Sequence, residues 1–297
     1  MPFDDIIIPE LLPPSEDGVF KTLMTHPDAE PILRDVVESY LRFPVVKVEV
    51  KNVEMPVSDI NEKRERFDVN CTVNDGTQFE IEMQSDTISG DSTGTNHKIV
   101  KSRAIYHLCD LHSGQSGRNV RYDKLMRSFQ MTFCGYTVFP ERKDFVRRFS
   151  LRDENGLELS DSVGIIFVEL TKLTEAMKKP IEALTGEEFW ALFLAIGSDP
   201  TQKELLDKMI AARREIGMAV ELLQTISRDE NERARFRARR KFQMDMEHSL
   251  IVARDEGRDE GVLAVAKKLL KMDMSLDNIL EATGLTREEV EGLCIAN

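Results

Sequence analysis

The sequence predicts an α/β domain, a mixed sheet flanked by helices, over roughly residues 10–175, followed by an all-helical region over residues 176–297. Three observations predict it. Residues 66–84 alternate apolar and polar on both sides of a Gly-containing turn, as a half-buried hairpin must. Gly164-Ile165-Ile166-Phe167-Val168-Glu169-Leu170 is a continuous apolar run of the kind found in interior strands. Beyond Leu173 the pattern is helical throughout.

In chain order, Pro9 to Pro14 reads as extended chain and Ser15 as the N-cap of a first helix with acids in its opening turn. Val19, Phe20, Leu23 and Met24 face inward on it, and Asp17 and Lys21 lie one turn apart. A second helix covers Glu30 to Leu41. Val45 to Met55 alternates as a strand, and a polar connector, Ser58 to Glu65, leads into the hairpin.

The hairpin has a preferred register. Taking Asn74-Asp75-Gly76 as a three-residue loop pairs Val69 with Ile81, Asp68 with Glu82 and Phe67 with Met83. A two-residue loop through Asp75-Gly76 would put Phe67 opposite Gln84 and mix apolar and polar residues on both faces. One face thus carries Phe67, Val69, Cys71, Val73, Phe79, Ile81 and Met83, and the other carries Asp68, Glu80, Glu82 and Gln84.

Ser85 to Asn96 is a loop rich in Ser, Thr, Gly and Asp. A helix from His97 to Ser113 has Val100, Ala104, Leu108 and Leu111 as its buried stripe, with Lys98, Lys101, Arg103 and Tyr106 off it. Lys124 to Phe139 and Phe145 to Arg152 read as strands, with a turn at Asp153-Glu154-Asn155-Gly156. Thr185 opens an apolar helix, and Thr201 to Ile226 is amphipathic. Asp255 to Gly261 repeats a four-residue unit and reads as a charged helix or linker. The tail, residues 262–297, is helical, with Thr286 and Glu289 forming a capping box. Its last helix opens on Arg287-Glu288-Glu289, which suits packing or self-association better than base reading, so a homodimer through the C-terminal region is expected.

Composition narrows the function classes. At 41% hydrophobic and 31% charged, the 297 residues can build a large packed core with a charged exterior. No apolar run is long enough to span a bilayer and the N-terminus lacks a basic leader, so no membrane partner and a cytoplasmic location are expected. The four cysteines form no ligand-spaced pair, which argues against a zinc site or a disulfide framework. None of the five histidines receives a role. A formal charge of −13 opposes bulk nucleic-acid binding, although a divalent cation and local basic faces can override it.

The chemistry concentrates on the hairpin. Two carboxylates directly opposed across strands repel unless something lies between them. Asp68 and Glu82 are such a pair, and a hard cation such as Mg²⁺ suits the gap, with the main-chain carbonyl of Met83 as a further oxygen ligand. A cation held there activates water and stabilises a phosphate under in-line attack. Lys98, Lys101 and Arg103 lie just beyond in sequence, where they could meet a DNA backbone, and Tyr106 could lie along a sugar or base.

The arrangement resembles the PD-(D/E)XK nuclease superfamily, and more closely its Rpn-type branch of recombination-promoting nucleases and transposase-like proteins. The residues that carry the resemblance are Asp17-Gly18-Val19-Phe20-Lys21, Arg66-Phe67-Asp68, Ile81-Glu82-Met83-Gln84, Arg103-Ala104-Ile105-Tyr106 and Val168-Glu169-Leu170-Thr171-Lys172, with the Glu-Gly-Arg repeat near the C-terminus. The resemblance implies a restriction-endonuclease-like fold and a metal-dependent DNA endonuclease using Mg²⁺, with Mn²⁺ able to substitute, in recombination, mobile-element or phage-related DNA processing. It makes Asp68 and Glu82 the metal ligands and Asp17 an assisting acid from the first helix. Gln84 takes the place of the superfamily's Lys. An amide can orient water or a phosphate oxygen but carries no positive charge, which Lys21 is positioned to supply. Phe67 stands where the superfamily has Pro. The alternative is a nuclease-derived scaffold that binds DNA or a protein partner through its helical tail without cutting.

Overall fold

The computed structural model describes residues 10–51, 69–74, 76–85, 95–115 and 121–295. It divides into two compact units, residues 1–237 and 238–297.

The first unit is built on a six-stranded mixed sheet of order β1-β2-β3-β4-β6-β5. β1 (Val48–Val50), β2 (Val69–Val73) and β3 (Thr77–Gln84) are antiparallel neighbours. β4 (Ser128–Cys134) runs parallel to β3, and β6 (Glu158–Glu169) runs parallel to β4. β5 (Val146–Arg152) closes the far edge antiparallel to β6. Val69 pairs with Ile81 and Val73 with Thr77, which is the register of the three-residue loop. Gly76 closes that loop at φ +93°, a conformation costly for any residue with a Cβ. Residues 67 and 68, and with them the pairs expected at Met83 and Glu82, lie outside the described residues.

The odd-numbered face of the hairpin is core. Val69, Cys71, Val73, Phe79, Ile81 and Met83 are all buried, and α1 (Asp17–Thr25) and α2 (Glu30–Leu41) cover them with Val19, Phe20, Leu23, Val36, Val37 and Tyr40. Phe133 of β4 meets Phe20 and Tyr40, with ring centroids 5.7 and 5.4 Å apart. Burial pushes the Cys71 thiol up to about 12, so it stays protonated and acts as a small apolar side chain.

α4 (Gly186–Ile196), α5 (Lys203–Ala212) and α6 (Arg214–Arg228) belong to this same core, through Trp190, Phe193, Met209, Ala219 and Leu223. The apolar contacts of the sheet therefore extend well past residue 175. Leu12 is tied to α6 by its amide donating to Ser227 Oγ at 2.9 Å.

Several local expectations are corrected. Glu16, rather than Ser15, caps α1, its carboxylate accepting from the Val19 amide at 2.9 Å. A carboxylate there also faces the positive end of the helix dipole. The strand expected over Lys124 to Phe139 is confined to Ser128–Cys134, because the chain beyond Cys134 turns so that the Val138 and Phe139 amides reach the Glu169 carboxylate. The amphipathic stretch from Thr201 to Ile226 breaks at Arg213, whose backbone is extended while its guanidinium clamps Asp35 at 2.7 and 2.8 Å. The Glu-Gly-Arg repeat lies inside one helix, α7 (Glu230–Lys271).

The second unit contains most of α7, α8 (Leu276–Thr283) and α9 (Arg287–Ile295). Ala266, Ile279 and Val290 form its small core. Gly284 ends α8 at φ +70°, and Thr286 and Glu289 make the expected capping box. No helix among the described residues is long and apolar enough to cross a membrane.

Candidate functional site

The even-numbered face of β3 is polar yet buried. Glu80 and Glu82 are only 5% and 2% exposed, and the neighbouring Ser128, Gln130 and Thr132 of β4 are fully enclosed. The covering element is α3 (Thr95–Ser113), which lays Val100 and Ala104 against Cys134, Val138, Phe139, Ile165 and Phe167. Parity along the strand dictates the polar face, and α3 makes that face an interior.

Buried carboxylates need partners, because removing a charge from water without one costs several kcal/mol. α3 supplies them. Arg103 Nη2 lies 2.5 Å from Glu82 Oε1, and His107 Nδ1 lies 2.5 Å from Glu80 Oε1. Further along, His112 meets Ser128 Oγ at 3.0 Å, and Gln115, just past the helix, donates to it at 2.9 Å. Gln84 Nε2 donates to the same Glu82 oxygen at 2.5 Å. Gln130 Nε2 donates to Thr132 at 2.8 Å.

Asp17 reaches this end of the sheet from α1. Its half-buried carboxylate accepts from the Ser85 amide at 3.0 Å, one residue beyond Gln84. Gly135 makes the end of β4 close against it: its amide donates to Gln84 O at 2.8 Å, and a Cβ there would stand 2.4 Å from Ser85 O. Tyr136, the next residue, registers both acids. Burial first, then the neighbouring Cys134, Glu82 and Asp17, push its phenol pKa upward, while Arg103 pulls it down. One phenol thus lies within electrostatic reach of Asp17, Glu82 and Arg103 together.

Glu82, Gln84, Arg103 and Asp17, all expected at the site, converge on the C-terminal end of β3. Met83 sits between Glu82 and Gln84 with its side chain in the opposite core. Lys21 is half-buried on α1. Lys98 and Tyr106 are exposed on α3. Lys101 lies over the Phe139 ring with its ammonium 4.3 Å from the centroid. Arg103, expected off the buried stripe, instead turns its guanidinium onto Glu82 while remaining 41% exposed. Asp68 lies outside the described residues.

Two of the histidines, given no role on sequence grounds, hold polar groups of the sheet: His107 at Glu80 and His112 at Ser128. The spacing of His107, four residues past Arg103 and so on the same helix face, was the available signal. Gln130 and Tyr136 gave none.

Glu169 has a structural task. Fully buried, it accepts from the Val138 and Phe139 amides at 2.6 and 3.0 Å and pairs with Lys172 at 2.6 Å, fixing the turn after β4. Replacing it by Ala leaves two amides and an ammonium without that acceptor, and urea denaturation is expected to show a loss of about 3 kcal/mol.

The donor chemistry fits a hard divalent cation, since Glu82 and Asp17 offer oxygen ligands of the type such ions take. Among the described residues no three His, Cys, Asp or Glu groups are gathered closely enough to hold a metal by themselves.

A family model described as PD-(D/E)XK nuclease family transposase matches residues 14–253. Comparison with curated proteins and with solved structures found no match.

Proposed function

The chain belongs to the PD-(D/E)XK nuclease family transposases, and on that premise we propose that it is a metal-dependent DNA endonuclease hydrolysing phosphodiester bonds in recombination, mobile-element or phage-related DNA processing. The observation that carries the reading is Glu82: a carboxylate 2% exposed, on the strand end where Asp17, Gln84 and Arg103 also meet.

In this reading Asp68, expected opposite Glu82, completes the ligand set, with the Met83 carbonyl as a further oxygen and Asp17 assisting. When bound, Mg²⁺, or Mn²⁺ in its place, lowers the pKa of water and offsets the charge that builds on the phosphate. Gln84 orients water or a phosphate oxygen, which an amide does as both donor and acceptor. Lys21, Lys98, Lys101 and Arg103 contribute contacts to the DNA backbone, and Tyr106 lies along a sugar or base. The reading places the protein in the cytoplasm with DNA as its substrate and a second copy, through the C-terminal helices, as its partner.

One observation favours a second reading, a scaffold that binds without cutting. The Glu82 carboxylate is already neutralised by Arg103 at 2.5 Å, and Gln84 brings no charge of its own. Nicking of supercoiled plasmid separates the two. The nuclease reading expects open circles with Mg²⁺ or Mn²⁺ and none after chelation, and intact supercoils with every metal would favour the scaffold.

A further inference from the structure

Two pairs join α3 to β3, and they share one spacing. Arg103 and His107 are four residues apart, about 6 Å along a helix, and their partners Glu82 and Glu80 are two residues apart, about 6.6 Å along a strand. The rises match, so both contacts form without bending either element. With Glu80–His107 in place one turn away, the height of Arg103 over the sheet is fixed.

At Glu82 two donors arrive on one oxygen. Gln84 Nε2 comes from two residues along the strand and Arg103 Nη2 from the helix above, each 2.5 Å from Oε1. The strand donor is neutral and the helix donor is charged. Together they present what a single lysine at position 84 would present: a hydrogen-bond donor beside the carboxylate and a positive charge. A guanidinium has five N–H donors in a rigid fork, more than one carboxylate oxygen can accept. Arg103 is also 41% exposed, so its charge faces both the buried acid and the solvent side, from which a nucleic-acid phosphate would approach.

Lys21 stands one turn from Asp17 on α1, whereas Arg103 touches the Glu82 carboxylate directly. The phenol of Tyr136 supports the placement of Arg103, being shifted by Glu82, Asp17 and Arg103 together.

We propose that Arg103 supplies from α3 the positive charge that Gln84 lacks, binding the scissile phosphate of DNA beside Glu82, so that the strand-borne lysine function of this fold is divided here between an amide and a helix arginine. The inference rests on the nuclease reading and deepens it.

The test uses the full chain on supercoiled plasmid with Mg²⁺, comparing wild type with Arg103→Gln, Arg103→Lys and the double variant Arg103→Gln/Gln84→Lys. Arg103→Gln lowers kcat about 100-fold with KM held within about threefold, the size and pattern of a lost transition-state contact. Arg103→Lys stays within about tenfold of wild type, since charge is kept and the fork is lost. The double variant recovers at least about tenfold over Arg103→Gln, because a lysine on the strand restores the charge from the other side. A purely structural Arg103 gives no such rescue.

A second readout needs no turnover. Calorimetry with Mn²⁺ and no DNA finds Arg103→Gln binding the ion several-fold more tightly, since the guanidinium no longer competes for Glu82. Cutting by Arg103→Gln at the wild-type rate overturns the inference and leaves the nuclease reading standing. So does a loss that neither lysine restores. A wild type that leaves the plasmid intact with every metal overturns the nuclease reading itself and this inference with it.

Discussion

Glu82→Gln abolishes plasmid cleavage, with a fall in rate of at least about 1,000-fold, while the protein remains folded. The substitution keeps the size and the hydrogen-bonding shape of the side chain, so Gln84 and Arg103 still find an acceptor at the buried end of β3. What it removes is the charge that would hold a cation. Asp68→Asn gives a fall of the same order, because neither acid retains the ion alone. Circular dichroism and gel-based nicking on the same samples check both halves. Cleavage by Glu82→Gln at a tenth of the wild-type rate or better would remove this residue from the site.

Trp190→Ala is expected to lower the stability of the first unit by about 4 kcal/mol, through lost burial and the cavity left behind. The indole is completely enclosed, packs edge-on against Phe193 with centroids 5.9 Å apart, and donates to Asp35 Oδ2 at 2.8 Å. Asp35 also receives two hydrogen bonds from Arg213, so the loss disturbs a junction of α2, α4 and the α5–α6 break. For a unit of this size the melting temperature falls by about 10 °C. Because α4 and α6 share their core with β3 and β4, sheet and helices should melt in one transition. A variant whose sheet outlasts its helices would show that they are separable.

Much of this was legible in the sequence. Period-two alternation told which hairpin residues face the core, and Gly76 set the register, since a slip by one residue would have exchanged the faces. The same parity placed Glu80, Glu82 and Gln84 on one side. It could not say what covers that side. α3 covers it through Arg103 and His107, whose types are ordinary on an exposed helix face; their four-residue spacing puts them on one face, but only the tertiary arrangement brings that face onto Glu82 and Glu80. Residue type misled in smaller ways. Ser15 is the better cap by preference, yet Glu16 stands where its carboxylate reaches the Val19 amide. Gly257 and Gly261 lower helix propensity, yet both lie within the 42-residue α7, whose length carries them. Arg213 breaks a continuous amphipathic pattern with an extended backbone while its guanidinium clamps Asp35, a long-range contact that periodicity cannot register.

A single ion site shared by two acids from adjoining strands is the central claim. Manganese titration followed by electron paramagnetic resonance, on the wild type and on Asp68→Asn and Glu82→Gln, reads that site without DNA or turnover. The wild type is expected to give a saturable loss of the free-ion signal, weakened at least about tenfold in each variant, since each carboxylate contributes a direct ligand. Binding by either variant with wild-type affinity would contradict the shared site.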